Sequence, residues 1–402
     1  MIAVLALTAS LAAQAQFNRG LTELYAYAGP FAVAQFEAAA AADPHFGVAY
    51  ALEALAEGSD LNNPIDAYRF SRAQSAAAKA EALRPYASAS DAAFIDAVAA
   101  RYAGRFIDYP SDTAAYRGAL KDYLDAYPAD DDVTMLLVEA MLEDQAMEWN
   151  DDGTPLGKTS ADELRLTQRV LTRSPQHLMA NHLCIHLYDK APNATPAIPC
   201  AQRLDAMTFA PEQEHLAHMP AHTWIELGDG RAAVASSERA WALHPTRYAE
   251  HDAYIGLAAA MLCGDPAAID RWTQRYIEAS HRAVVMAPPE RVAQAHDLEA
   301  NGKIDEALNL LQAAAVYEAG FNEMISLYPA DVRIGAVYYR AARYADAKDA
   351  FADVLAHHPR DPRALFGMAL TLRALGDSAG FAQNEALFKR YWAGGTLTID
   401  DF

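Results

Sequence analysis

The repeat period near the C-terminus decides the architecture. Tyr344, Ala347, Phe351, Leu355 and Pro359 are followed by Ala364, Leu365 and Gly376-Asp377. These are the steps of a two-helix unit of about 34 residues, in which an aromatic and a small residue open the second helix and Pro closes the unit. Gly-Asp then turns the chain into the next pair. Residues 228–245 fit the same template, with Ala233, Ala240 and Trp241 at the packing positions, and weaker copies run over 32–50 and 302–314. Small residues let paired helices approach, and each unit buries its apolar face only by stacking on a neighbour.

The chain has 402 residues and 52% hydrophobic content, room for two ordinary domains or one long array with a large core. Alanine is abundant, and Val/Ile/Thr runs with period-two alternation are scarce, so the expected class is all-α. The expectation is a degenerate, tetratricopeptide-like helical-repeat superhelix (an α-solenoid) over residues 16–392, clearest at 228–245 and 334–392, with 393–402 frayed. Breaks fall where Pro, Gly and Asp cluster: 104–112, 150–159 and 191–199, the last with three prolines. Thr159-Ser160 is expected to cap a helix beginning at Ala161. No low-complexity linker divides the chain, which favours one continuous superhelix.

Residues 1–15 (MIAVLALTASLAAQA) match the apolar run and A-x-A cleavage site of a secretory signal, so the expectation is a mature start near Gln16 and export to the periplasm or beyond, the alternative being an ordinary buried first helix. The run is short for a membrane span, so no stable span is expected after processing. Formal net charge is −21 with no clustered Lys and Arg, which argues against nucleic acid as a partner and for a solvated acidic surface. Three cysteines do not make a disulfide framework; Cys184 and Cys200 either bridge in an oxidising compartment or stay small buried residues.

Residues 177–252 are histidine-rich. His177, His182, His186, His215, His218 and His222, six of the thirteen, fall within fifty residues, and His251 follows in a Glu250-His251-Asp252 triplet. His182 and His186 stand i, i+4 with Asp189 three further on, so one helix would carry all three on one face. His218 and His222 repeat the step. Imidazole and carboxylate donors at this spacing suit a transition metal such as Cu, Zn, Fe or Ni. His182, His186 and Asp189 make one three-ligand set; His218 and His222, joined by His215 or His251, make another. Six histidines from packed helices also resemble the ligand sets of coupled dicopper proteins. Pro220 pushes Met219 out of the α region and starts a helix, leaving His215 and His218 on the preceding turn. His177, His244, His357 and His358 read as surface or capping residues, Glu226 as exposed, and Glu148, Asp151 and Asp152 as a polar loop. Glu250 and Asp252 read as partners of His251 or as solvated charges.

The segments DAAFIDAVAARYAG, EWNDDGTP, ANHLCIHLYDKA and HLAHMPAHTWIELGDG together resemble a family of bacterial tetratricopeptide-repeat proteins carrying N-H-x-x-I-H and H-x-x-H-M-P-x-H motifs. The resemblance runs through nearly the whole mature chain. The family's polar positions fall on His182, His186, His215, His218, His222 and His251. This chain has Asp189 where the family usually has Glu, and Met147, Glu148 and Trp149 where it usually has two Trp and an Asp. The resemblance implies the fold and no established reaction.

Motifs of serine hydrolases, P-loop enzymes, dinucleotide-binding dehydrogenases and c-type cytochromes are absent. The function expected is therefore that of an exported helical-repeat protein with a His-rich metal site, leaning to a metal-dependent enzyme acting on a small molecule. The alternative is a metal-free scaffold for a peptide or protein partner on a concave face. Metal storage or delivery is the remaining option.

Overall fold

The computed structural model describes residues 10–150, 152–189, 191–245, 247–280, 290–319 and 329–402. The protein is all-α and tetratricopeptide-like, built from successive helix pairs joined by short turns. The expected cleavage segment is described only from Ser10 onward, and Asp151 lies outside the described residues. The chain divides into two compact units. One comprises the residues up to Tyr188 with Ala206–Leu216, the other Asp189–Asp205 with Ala217–Phe402.

The first unit holds α1 (Leu11–Tyr25), α2 (Gly29–Ala42), α3 (Gly47–Glu57), α4 (Ala67–Leu83), α5 (Ala89–Arg101), α6 (Tyr109–Ala126), α7 (Asp131–Asp144), α8 (Ser160–Arg173) and α9 (Leu178–Tyr188). α1 packs on α2, α3 on α4 and α5 on α6; α9 touches α1 and α7. Short polar side chains set the helix starts by accepting a backbone N–H in the first turn. Ser10 takes that of Ala13, Asp66 that of Arg69, Ser88 that of Asp91 and Asp130 that of Val133. Thr159 departs from expectation. It makes no side-chain cap, α8 already starts at Ser160, and the Ser160 hydroxyl donates backward to the Leu156 carbonyl. The break at 104–112 is also shorter than expected, because α6 begins at Tyr109 with Pro110 in its first turn, where a missing N–H costs nothing. A two-stranded hairpin, β1 (Glu148–Trp149) and β2 (Pro155–Leu156), occupies the polar loop.

The second unit holds α10 (Ile198–Asp205) and α12 (Pro220–Glu226). It continues with α13 (Gly230–Trp241), α14 (Ala249–Cys263), α15 (Pro266–Ser280), α16 (Glu290–Ala300), α17 (Ile304–Ala319), α18 (Ala330–Arg340), α19 (Tyr344–His357), α20 (Pro362–Ala374) and α21 (Ser378–Tyr391). Between α10 and α12 the chain passes through α11 (Glu214–His218), where the division into units falls. The repeat expected from sequence is visible in its packing. The fully buried Phe351 ring of α19 lies against Gly335 of α18 and Gly367 of α20, and a Cβ at either glycine would collide with it. Trp272 of α15 lies on Gly256 of α14 in the same way. The tail, expected to fray, instead docks. Phe402 is buried in the cluster of Val332, Ala336 and Phe351, and Arg340 Nη1 donates to the Ile399 carbonyl at 2.6 Å. Its apolar end residue supplies the reason, since burying a Phe side chain is worth about 1.5–3 kcal/mol. Among the described residues no helix is long and apolar enough to cross a membrane.

Candidate metal centre

Two groups of three histidines bring ring nitrogens together: His182, His186 and His215 in the first unit, and His218, His222 and His251 in the second. Within each group the ligand atoms lie within 4.8 Å of one another.

The first group is built outward from α9. His177 caps that helix: its Nδ1 accepts from the Ala180 N–H at 3.3 Å, and its Nε2–H donates to Asp132 at 3.0 Å. It is a buried cap, not a surface residue. Asp132 also accepts from the Tyr25 hydroxyl at 2.6 Å. Burial favours a protonated Asp132, but these donors prevail and hold its carboxyl below the usual range. One turn along α9, the fully buried His182 donates Nδ1–H to the Tyr25 carbonyl at 2.8 Å. That bond fixes the tautomer and turns the Nε2 lone pair inward. His182 Nε2 lies 3.1 Å from His186 Nε2 and 3.1 Å from His215 Nε2, with Asn62 Nδ2 3.2 Å from the latter. The Tyr27 ring packs on all three imidazoles, at centroid distances of 4.6 Å from His182, 5.5 Å from His215 and 6.4 Å from His186.

Asp189 directly follows the last residue of α9. His215 groups with His182 and His186, and His251 with His218 and His222.

In the second group, His218 Nε2 lies 2.8 Å from His222 Nε2, and His251 Nε2 lies 3.3 Å from His222 Nε2. His251 is brought in by α14. Pro220 opens α12 as the sequence implies, yet Met219 before it stays helical at φ −48°, ψ −39°. The helical junction preserves the i, i+4 step, which keeps His218 and His222 adjacent across a proline. Asp252, also buried, faces His218: its Oδ1 lies 3.4 Å from His218 Nδ1. The acidic neighbour of His251 in sequence thus orients a different imidazole. Glu226 is half-buried and is in neither group.

The donor chemistry fits a transition metal. Metal–nitrogen bonds of about 2.0–2.1 Å at tetrahedral angles separate the nitrogens by roughly 3.3 Å. The two separations given for each group lie at or a few tenths below that, and all three donors lie within 4.8 Å of one another. Three neutral imidazoles form a borderline-soft set suited to Cu, Zn or Fe and poor for Ca or Mg. In the first group one imidazole is held through Nδ1 by a carbonyl, the usual outer support of a ligating histidine, and in the second a carboxylate lies 3.4 Å from His218 Nδ1.

The remaining histidines and acids have other work. His358 Nδ1–H donates to the Glu226 carbonyl, and His357 Nδ1–H to that of Asp353. His244 sits in a turn at φ 58°. Glu148 is exposed, and Asp152 accepts from the Thr154 backbone and hydroxyl within its own loop. Trp149 ties the hairpin to the end of α9, donating to the Leu187 carbonyl at 3.1 Å and stacking on Tyr188. Sequence reasoning missed Tyr25, Tyr27 and Asn62, which belong to no motif. The one available signal was the Gly29-Pro30 pair, marking a turn just after Tyr27.

No family model matches the chain, and no curated protein matches it either. Among solved structures it is similar to Cut9 in the APC/C Cut9–Hcn1 hetero-tetramer, at 15% identity over 94% of this chain and 76% of that one, TM-score 0.32. It is also similar to the TPR domain of P58(IPK), at 14% identity over 97% and 95%, TM-score 0.25. Yeast Tom70 is a third, at 13% identity over 96% and 93%, TM-score 0.23.

Proposed function

We propose that this is an exported, metal-dependent helical-repeat protein in which each three-histidine group holds one transition-metal ion and acts on a small molecule. The observation that carries the proposal is the convergence of His182, His186 and His215, and separately of His218, His222 and His251, on common points. Ordinary helix-pair packing does not require imidazoles to face one another in threes, because burying them apart in apolar surroundings leaves their nitrogens to be satisfied elsewhere. Three donors leave a coordination position for water or substrate, and a bound ion would supply Lewis acidity or redox chemistry there. The chain's own contribution is orientation: the Tyr25 carbonyl fixes the His182 imidazole, and the Asp252 carboxylate faces that of His218.

The test is elemental analysis of the full chain, purified from the periplasm without an affinity-tag histidine run. Two equivalents of Cu, Zn or Fe are expected, falling to one in His182→Ala and one in His222→Ala, and to none in the double variant. A chain that neither carries nor takes up any of these ions overturns the proposal. The scaffold reading, with a peptide or protein partner along the helix pairs, would then replace it.

A further inference from the structure

Tyr27 is a bulky non-glycine residue with positive φ, at 54°. Such a conformation costs on the order of 1–3 kcal/mol and persists where the surroundings over-determine it. Its ring meets all three imidazoles of the first group, packing at 23° to His215. The opposite end of the side chain is enclosed as well, because Tyr27 and Glu139 of α7 line one hollow. Both residues are buried, at 2% and 8% exposure. They line this small hollow with Leu55, Ser59, Asp60 and Arg101.

From this placement we infer that Tyr27 is a positioning residue for the first metal site, a strut between Glu139 and the three imidazoles that sets their spacing. The inference rests on the metal reading above and names residues that the ligand motifs do not contain. Glu139 suits the role as a neutral acid. Burial first, and then the neighbouring Glu143 and Asp60 carboxylates, push its carboxyl well above the usual range, against the pull of Arg101. The other titratable groups facing it are Tyr116 of α6 and Tyr25 of α1. A neutral acid backs Tyr27 without adding a charge that would compete for the ion.

The experiment is competitive Zn²⁺ titration of the full chain against a chelator, in a His222→Ala background that leaves only the first group intact. Tyr27→Leu is expected to weaken zinc binding about 10–100-fold, the usual cost of losing an outer support. Tyr27→Phe and Glu139→Ala should weaken it by less, and Glu139→Gln, a neutral isostere, should restore it. The same Tyr27 substitutions in a His182→Ala background should leave zinc binding at the second group unchanged, and amide hydrogen exchange in α1 and α7 reports that the first unit is folded. Unaltered affinity in Tyr27→Leu overturns the strut, and so does a Glu139→Gln variant no better than Glu139→Ala. A parent chain that takes up no zinc overturns the metal reading, and the strut with it.

Discussion

Removing the negative charge at Glu143 exposes how the buried polar cluster of the first unit is balanced. Arg101 is 3% exposed in its side chain and pairs with Glu143 at 2.7 Å; its other donors reach Ser59 Oγ at 3.1 Å and the Tyr109 hydroxyl at 2.9 Å. Breaking such a pair from one side leaves a buried cation and costs about 3–5 kcal/mol. Here a second acid stands by. Glu143 is among the reasons Glu139 resists ionisation, so in Glu143→Gln the carboxyl of Glu139 becomes easier to ionise and can replace the lost charge. The single variant should therefore cost only about 2–3 kcal/mol. Glu139→Gln alone swaps one neutral group for another and should cost under about 1 kcal/mol. The double variant has no reserve anion and should cost about 4–5 kcal/mol, a coupling of roughly 1–2 kcal/mol between the sites. Two compact units make a single unfolding midpoint unsafe, so the assay is amide hydrogen exchange, reading opening free energies for peptides of α5 and α7. Additivity within about 0.5 kcal/mol, or Glu139→Gln as costly as Glu143→Gln, would refute the reasoning.

Glu23 on α1 is pushed up to about 7, first by burial and then by Glu212, with Arg19 opposing. A carboxyl whose folded value is raised contributes most below its unfolded value near 4.5, and that contribution is lost as pH rises toward 7. Glu23→Gln should accordingly leave stability at pH 4.5 unchanged and raise it at pH 8 by on the order of 2–3 kcal/mol; chemical denaturation at the two pH values checks this, and an equal effect at both would contradict it. Phe351→Ala removes the ring wedged between Gly335 and Gly367 and should destabilise the α18–α20 region by about 3–5 kcal/mol, read by exchange in those helices, with zinc uptake at both groups unchanged. Loss of metal in that variant would show that the C-terminal packing reaches the site.

The helices were readable because their signals are local. The spacing of Ala347, Phe351 and Ala364 predicts a packed pair, and the i, i+4 spacing of His182 and His186 predicts one helix face. What the sequence hides is partnership at a distance. His215 joins His182 and His186 through contacts with Tyr27 and with Asn62, the latter 153 residues away, and no short-range pattern records that. Met219 misled: the bias against helical backbone before proline is a preference, and the local packing overrides it. The tail looked loose because Gly394 and Gly395 dominate its composition, while Leu397, Ile399 and Phe402 beyond them dock it.

The two groups differ in how their imidazoles are steered. The His182 ring takes its tautomer from the main-chain carbonyl of Tyr25, a group that every amino acid carries. The His218 ring faces the Asp252 carboxylate, which one codon change can erase. Mutational drift therefore acts unequally on them. In the first group the Tyr25 side chain can be exchanged without losing that bond, so long as the main chain keeps its course. On the metal reading proposed above, the second group would depend on the side chain of a single acid for the setting of His218.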